Sequence, residues 1–188
     1  IDGAGQIHAS SGTSYATPSI AKTLALLDRH IEGEISRETL LALAVHHSRL
    51  PESLRDTALA SVARHLVGFG TTITVDEILG GSEQQITLVF ASRLMLGQEL
   101  RFNFTWPQSL VLEAGKCKGT VSLTLVSTPP LDYRFDAEFV RVNVEAALQQ
   151  QLANGHWQGR LRPAYLPGPS ARGTYEAGLI EHGLKWGP

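Results

Sequence analysis

Gly12-Thr13-Ser14-Tyr15-Ala16-Thr17-Pro18 heads a run in which apolar residues begin to recur at three- and four-residue spacing: Ala16, Ile20, Ala21, Leu24, Leu27 and Ile31. That spacing marks one face of a helix, so the heptapeptide is expected at a helix start. Ser14 would then sit beside unpaired backbone N–H groups and the positive end of the helix dipole. A serine hydroxyl is a poor nucleophile at neutral pH. It needs a base to take its proton and donors to hold the oxyanion that forms. Gly12 permits a close backbone approach and a sharp turn. The small Ala16 leaves room beside the hydroxyl, and Pro18 lies about one turn in, where loss of an N–H is expected to cost least. A capping serine, worth about 1 kcal/mol, accounts for Ser14 alone. It does not account for Gly12, Thr13, Ala16 and Pro18 together.

Working outward, residues 15–67 read as helical. A second helix is expected from Ser36, with Glu38 in its first turn, through Leu40, Leu41, Ala44 and Val45, stopped by Pro51. A third is expected from about Glu52 to Leu66, ending at Gly68. After Gly80-Gly81 the period changes to two. Leu100, Phe102, Phe104 and Trp106 alternate with polar residues, as do Val121, Leu123 and Leu125, then Val140, Val142 and Val144, with a shorter run at Ile86, Leu88 and Phe90. Alternation of this kind gives one buried and one wet face. Several such strands with Gly and Pro punctuation predict an antiparallel β-sandwich. Residues 154–173, rich in Gly, Pro and Arg, read as a long loop, and Thr174–Trp186 as one more strand.

Composition narrows the function classes. Hydrophobic residues make up 43% and charged residues 18%, which is globular rather than disordered. A formal net charge of −2, with no block of like charge, argues against a nucleic-acid partner. No run reaches the roughly 20 apolar residues of a membrane span. The single cysteine, Cys117, excludes an internal disulfide framework. This fits a reducing compartment such as a bacterial cytoplasm, although some secreted proteins also dispense with disulfides.

The heptapeptide resembles the nucleophile motif of the subtilisin-like serine proteases, Gly-Thr-Ser-Met/Tyr-Ala-x-Pro. Thr39–Ser48, ending in His47-Ser48, resembles the helix that follows in that family, and Gly68-Phe69-Gly70 resembles its Gly-Tyr/Phe-Gly turn. The resemblance implies an α+β chain in two parts. Residues 1–80 would be the mostly helical C-terminal remnant of an α/β catalytic domain, and residues 84–188 an accessory antiparallel β-sandwich. It implies that Ser14 attacks the scissile carbonyl of a protein or peptide substrate, supported by Gly12, Thr13, Ala16 and Pro18, with no cofactor and no metal. The family order is Asp, His, then Ser. Asp2 and His8 precede Ser14 but lack the family's flanking sequences, and no Asn precedes it to serve the oxyanion hole. The remaining triad members are therefore expected upstream, and the chain alone is expected to be inactive. The exposed helical face is expected to pack on that upstream part, on the β-region, or on a second copy. The competing reading is a non-catalytic binding or oligomerisation module with a vestigial motif.

Other candidates read as structural. His46-His47 point about 100° apart on a helix and do not converge on a metal. Asp132, Asp136 and Glu138 offer oxygens to calcium, but without an EF-hand pattern they read as a solvated acidic loop. Arg160, Arg162 and Arg172 read as loop-solubilising groups, His182 as an ordinary histidine, and Trp106, Trp157 and Trp186 as packing residues.

Overall fold

The computed structural model describes residues 12–56, 59–81, 85–112, 118–138, 140 and 142–160. Among them are four α-helices: α1 (Thr13–His30), α2 (Arg37–His46), α3 (Ala60–Val67) and α4 (Val75–Gly80). One two-stranded antiparallel sheet joins β1 (Gln149–Gln151) to β2 (Trp157–Gly159), pairing Gln149 with Gly159 and Gln151 with Trp157.

The core lies where α1, α2 and α4 converge. Leu27 is fully buried and packs with Leu43, Val75 and Ile78; Leu26, Ile31, Ile35, Leu40 and Ile73 close around them. Several helix ends have a local cause. Arg29 and His30 sit in the last turn of α1, where cations complement the dipole, and the His30 ring is 2.7 Å from the Leu26 carbonyl. Ser36 caps α2, its Oγ accepting from the Thr39 N–H at 3.2 Å. Substituting Ser36→Ala removes that acceptor and should cost about 1 kcal/mol, read as a lower urea midpoint with an unchanged m-value. Thr74 and Glu77 form a reciprocal capping box at α4, where the Glu77 carboxylate accepts from both the Thr74 N–H (3.1 Å) and its hydroxyl (2.6 Å). Gly70 has φ +97, and a Cβ there would stand 2.2 Å from the Arg49 carbonyl oxygen. Only glycine fits that crossing, where Arg49 and Thr71 exchange backbone hydrogen bonds at 2.9 Å.

Two expectations are corrected here. The stretch from Glu52 to Leu66 is not one helix. A short 3₁₀ turn at Glu52–Leu54 precedes α3, which begins at Ala60 and ends at Gly68 with φ +60. The larger correction concerns the β-sandwich, which is not formed among the described residues. The alternating segments find no ladder. Leu100, Phe102 and Phe104 stay exposed, and Val140 makes only an isolated bridge to Leu131. Around residues 121–126 the faces are reversed: Leu123 and Leu125 are exposed, while Thr124 and Val126 turn partly inward. Alternation defines two faces, but it does not supply a partner for the N–H and C=O groups of a strand. The strands that do form lie in Gln149–Gln151, which shows no alternation, and inside the segment read as a loop. The expected strand at Thr174–Trp186 lies outside the described residues.

Candidate functional site

Ser14 is the second residue of α1 and is exposed. The first helical hydrogen bonds come from the Tyr15 and Ala16 N–H groups to the Gly12 carbonyl, at 3.0 and 3.3 Å. The Thr13 and Ser14 N–H groups precede that ladder, at the positive end of an 18-residue helix. The Ser14 hydroxyl itself makes no hydrogen bond among the described residues and is not a helix cap; Gly12 occupies the cap position without a side-chain bond. Asp2 and His8 lie outside the described residues.

Two of the supporting residues behave differently from expectation. Gly12 has φ 166 and ψ 160, extended backbone that any residue adopts, and a Cβ there would meet nothing within 4 Å. Local conformation therefore gives no reason for glycine at this position. Pro18 is the sixth helical residue, beyond the first turn. Lacking an N–H, it leaves the Ser14 carbonyl without its usual i+4 donor, and an interior proline disfavours the helix. A helix-breaking residue held one turn from the candidate nucleophile is a local conflict of the kind that gathers at functional sites. A hollow of about 410 Å³ opens beside the second turn of α1, lined by Ala16, Ser19, Ile20 and Thr23 on one side and residues 70–74 on the other. Ser14 does not line it.

The remaining candidates are placed as follows. His46 brings its Nδ1 to 3.0 Å from the Thr124 hydroxyl. His47 is only 8% exposed, and its buried Nε2 has no hydrogen-bond partner among the described residues. Burial, with the neighbouring His46 and Arg49 adding to it, holds the His47 imidazole below the ordinary histidine range. Asp132 is held below the usual carboxylate range by Arg134, which contacts it at 2.8 and 2.6 Å; it serves a side-chain pair, not a cation. The side chains of Asp136 and Glu138 are not described. Arg160 donates to Gln150 at 2.8 Å across the β1–β2 pair. Trp106 is half-buried, its Nε1 without a partner among the described residues, and Trp157 is exposed. Cys117, Arg162, Arg172, His182 and Trp186 lie outside the described residues. Among those described, no group of three His, Cys, Asp or Glu residues is placed to hold a metal ion, and no helix is long and apolar enough to cross a membrane.

Sequence reasoning missed two features. One is α4, although its capping-box signature, Thr74 followed three residues later by Glu77, is present in the text. The other is the burial of His47, for which adjacent histidines give no sequence signal. A histidine buried in neutral form binds fewer protons folded than unfolded, so its contribution to stability is complete above the ordinary histidine range and falls as pH drops through the folded-state value. The urea midpoint is therefore expected to fall between about pH 7.5 and pH 5. His47→Gln should flatten that dependence. The lowered carboxyls of Glu38, Glu77 and Asp132 act with the same sign but at lower pH. Against families of known proteins, characterised proteins and solved structures, this chain finds no match.

Proposed function

We propose that this chain is the nucleophile-bearing part of a subtilisin-like serine endopeptidase, with Ser14 as the attacking group. The observation that carries the reading is the seven-residue motif Gly12–Pro18 at the start of a long helix with its serine exposed. In this reading the helix start lends its dipole to the reacting centre, and no competing hydrogen bond has to be broken before a base can engage the hydroxyl. Thr13 belongs to the same first turn, Ala16 lies two residues on and faces away from the hydroxyl, and Pro18 breaks the ladder opposite the Ser14 carbonyl. Gly12 then answers to the approach of a substrate backbone rather than to its own conformation.

The base and its orienting carboxylate belong to an upstream part of the parent polypeptide, which also covers the exposed Tyr15 and Ile20 near the start of α1. Ser14 Oγ attacks the scissile carbonyl, the upstream histidine takes the proton, and the upstream aspartate fixes that histidine's tautomer. The 188-residue chain alone then lacks a base for Ser14 and should not cleave a chromogenic peptide above background. Turnover by this chain that is lost on Ser14→Ala would contradict the proposed division of the triad.

A second reading draws on the exposed apolar side chains at Leu88, Phe90, Phe102 and Phe104, where Phe90 and Phe102 stack at 3.9 Å. Exposed apolar surface of this kind favours association, as in a binding or oligomerisation module with a vestigial motif. The upstream sequence of the parent separates the two. Asp- and His-containing protease motifs there support the enzyme, and their absence supports the module.

A further inference from the structure

Helix α2 carries a strap. The Thr128 hydroxyl donates to the Glu38 carboxylate at 2.5 Å, and the Thr124 hydroxyl meets His46 Nδ1 at 3.0 Å. Glu38 lies in the first turn of α2 and His46 in its last. Eight helical residues rise about 12 Å, and four extended residues reach about 13 Å. The span between the threonines thus matches the span between their anchors, and the segment runs along the helix in the opposite direction. This explains why Thr124 turns inward while Leu123 and Leu125 stay exposed.

The two anchors respond differently to acid. Glu38 keeps its bond until its carboxylate takes a proton, well below neutrality. The Thr124 contact depends on the orientation of the His46 ring. Its neighbour is the weak point. The His47 ring stands edge-on to His46 at 5.2 Å, is buried, and has no partner for Nε2 among the described residues. Burial disfavours a cation there, and the neighbouring His46 and Arg49 add to that. Among the described residues, the carboxylates lining the hollow beside His47 are Asp76 and Glu77 of α4, and Glu77 is already committed to Thr74. A cation at His47 is therefore not tolerated where the ring now sits. The ring must turn toward water or toward Asp76, and His46 then loses the aromatic edge that holds its orientation.

We propose that His47 and the Thr124–His46 contact form an acid-released latch, in which protonation of His47 frees the Thr124 end of the strap from α2 while the Thr128–Glu38 end stays closed. The residues involved lie outside the Ser14 site, so the latch stands or falls independently of the protease reading.

The test is an NMR titration of the whole 188-residue chain from about pH 7.5 to pH 5. It follows the His47 ring resonances together with the cross-peaks from the His46 ring to the Thr124 methyl and from the Thr128 methyl to Glu38. The His46–Thr124 cross-peak is expected to vanish with the same midpoint as His47, below the ordinary histidine value, while the Thr128–Glu38 cross-peak persists. In His47→Phe, which keeps an aromatic edge but cannot titrate, the first cross-peak should survive to the lowest pH. His47→Gln serves as a second non-titrating variant if the phenylalanine is not accommodated. The proposal is overturned if the Thr124 contact persists through the His47 titration, if both contacts vanish together, or if the Thr124 contact is lost at the same pH in the non-titrating variants.

Discussion

Replacing Ser14, the proposed nucleophile, with alanine in a polypeptide that joins this chain to the proposed upstream catalytic part is expected to lower kcat for peptide hydrolysis about ten-thousandfold or more. KM should change little. The substitution removes the reacting atom and nothing else that the fold uses. Ser14 is exposed, its hydroxyl makes no hydrogen bond among the described residues, and it is not the cap of α1. Alanine also has the better helix propensity. Thermal or urea unfolding should therefore be unchanged or slightly improved while turnover disappears. Had Ser14 been a structural cap, the order would reverse, with a loss of about 1 kcal/mol in stability and none in rate.

Leu27→Ala is expected to produce the mirror image: a loss of about 3 kcal/mol in unfolding free energy with the chemistry at Ser14 untouched at the level of its side chain. Leu27 is fully buried at the point where α1 meets α2 and α4, against Leu43, Val75 and Ile78. Truncation removes buried methyl groups and leaves a cavity that three helices from different parts of the sequence cannot close together. Urea denaturation should show a lower midpoint, and Leu27→Met, which conserves volume, should recover most of the loss.

These two positions also show what could be read from the chain without its coordinates. The three- and four-residue spacing that marks α1 as a helix, the serine that opens α2 and the glycine that closes α3 are local signals, but of the apolar face read in α1 only Leu27 is buried, while Ala16, Ile20 and Ala21 stay exposed. The single helix expected from Glu52 to Leu66 failed because apolar spacing does not reveal the 3₁₀ turn at Glu52–Leu54 or the later start at Ala60. The sandwich failed for a different reason. The alternation at 100–106 and 121–125 describes faces, whereas a sheet needs hydrogen-bonding partners and register, and Thr124 instead turned to His46. At the candidate site, the motif marks Ser14 as a residue type in a pattern. The supporting roles of its neighbours were partly misread. Gly12 adopts a conformation open to any residue, and Pro18 lies deeper in the helix than the position where proline costs least. His47 is buried beside a hollow that it lines together with Asp76, Glu77 and Ile78 of α4, and no spacing within α2 announces this.

The central claim, that the Ser14 hydroxyl is the attacking group, is tested most directly by identifying the site of covalent capture. A polypeptide containing this chain and its upstream part is treated with a fluorophosphonate, and the adduct is located by peptide mass spectrometry. The account predicts one equivalent of phosphonyl group on Ser14, and none when the 188-residue chain is treated alone. Peptide hydrolysis accompanied by an adduct on a different serine, or hydrolysis with Ser14 left unmodified, would contradict it.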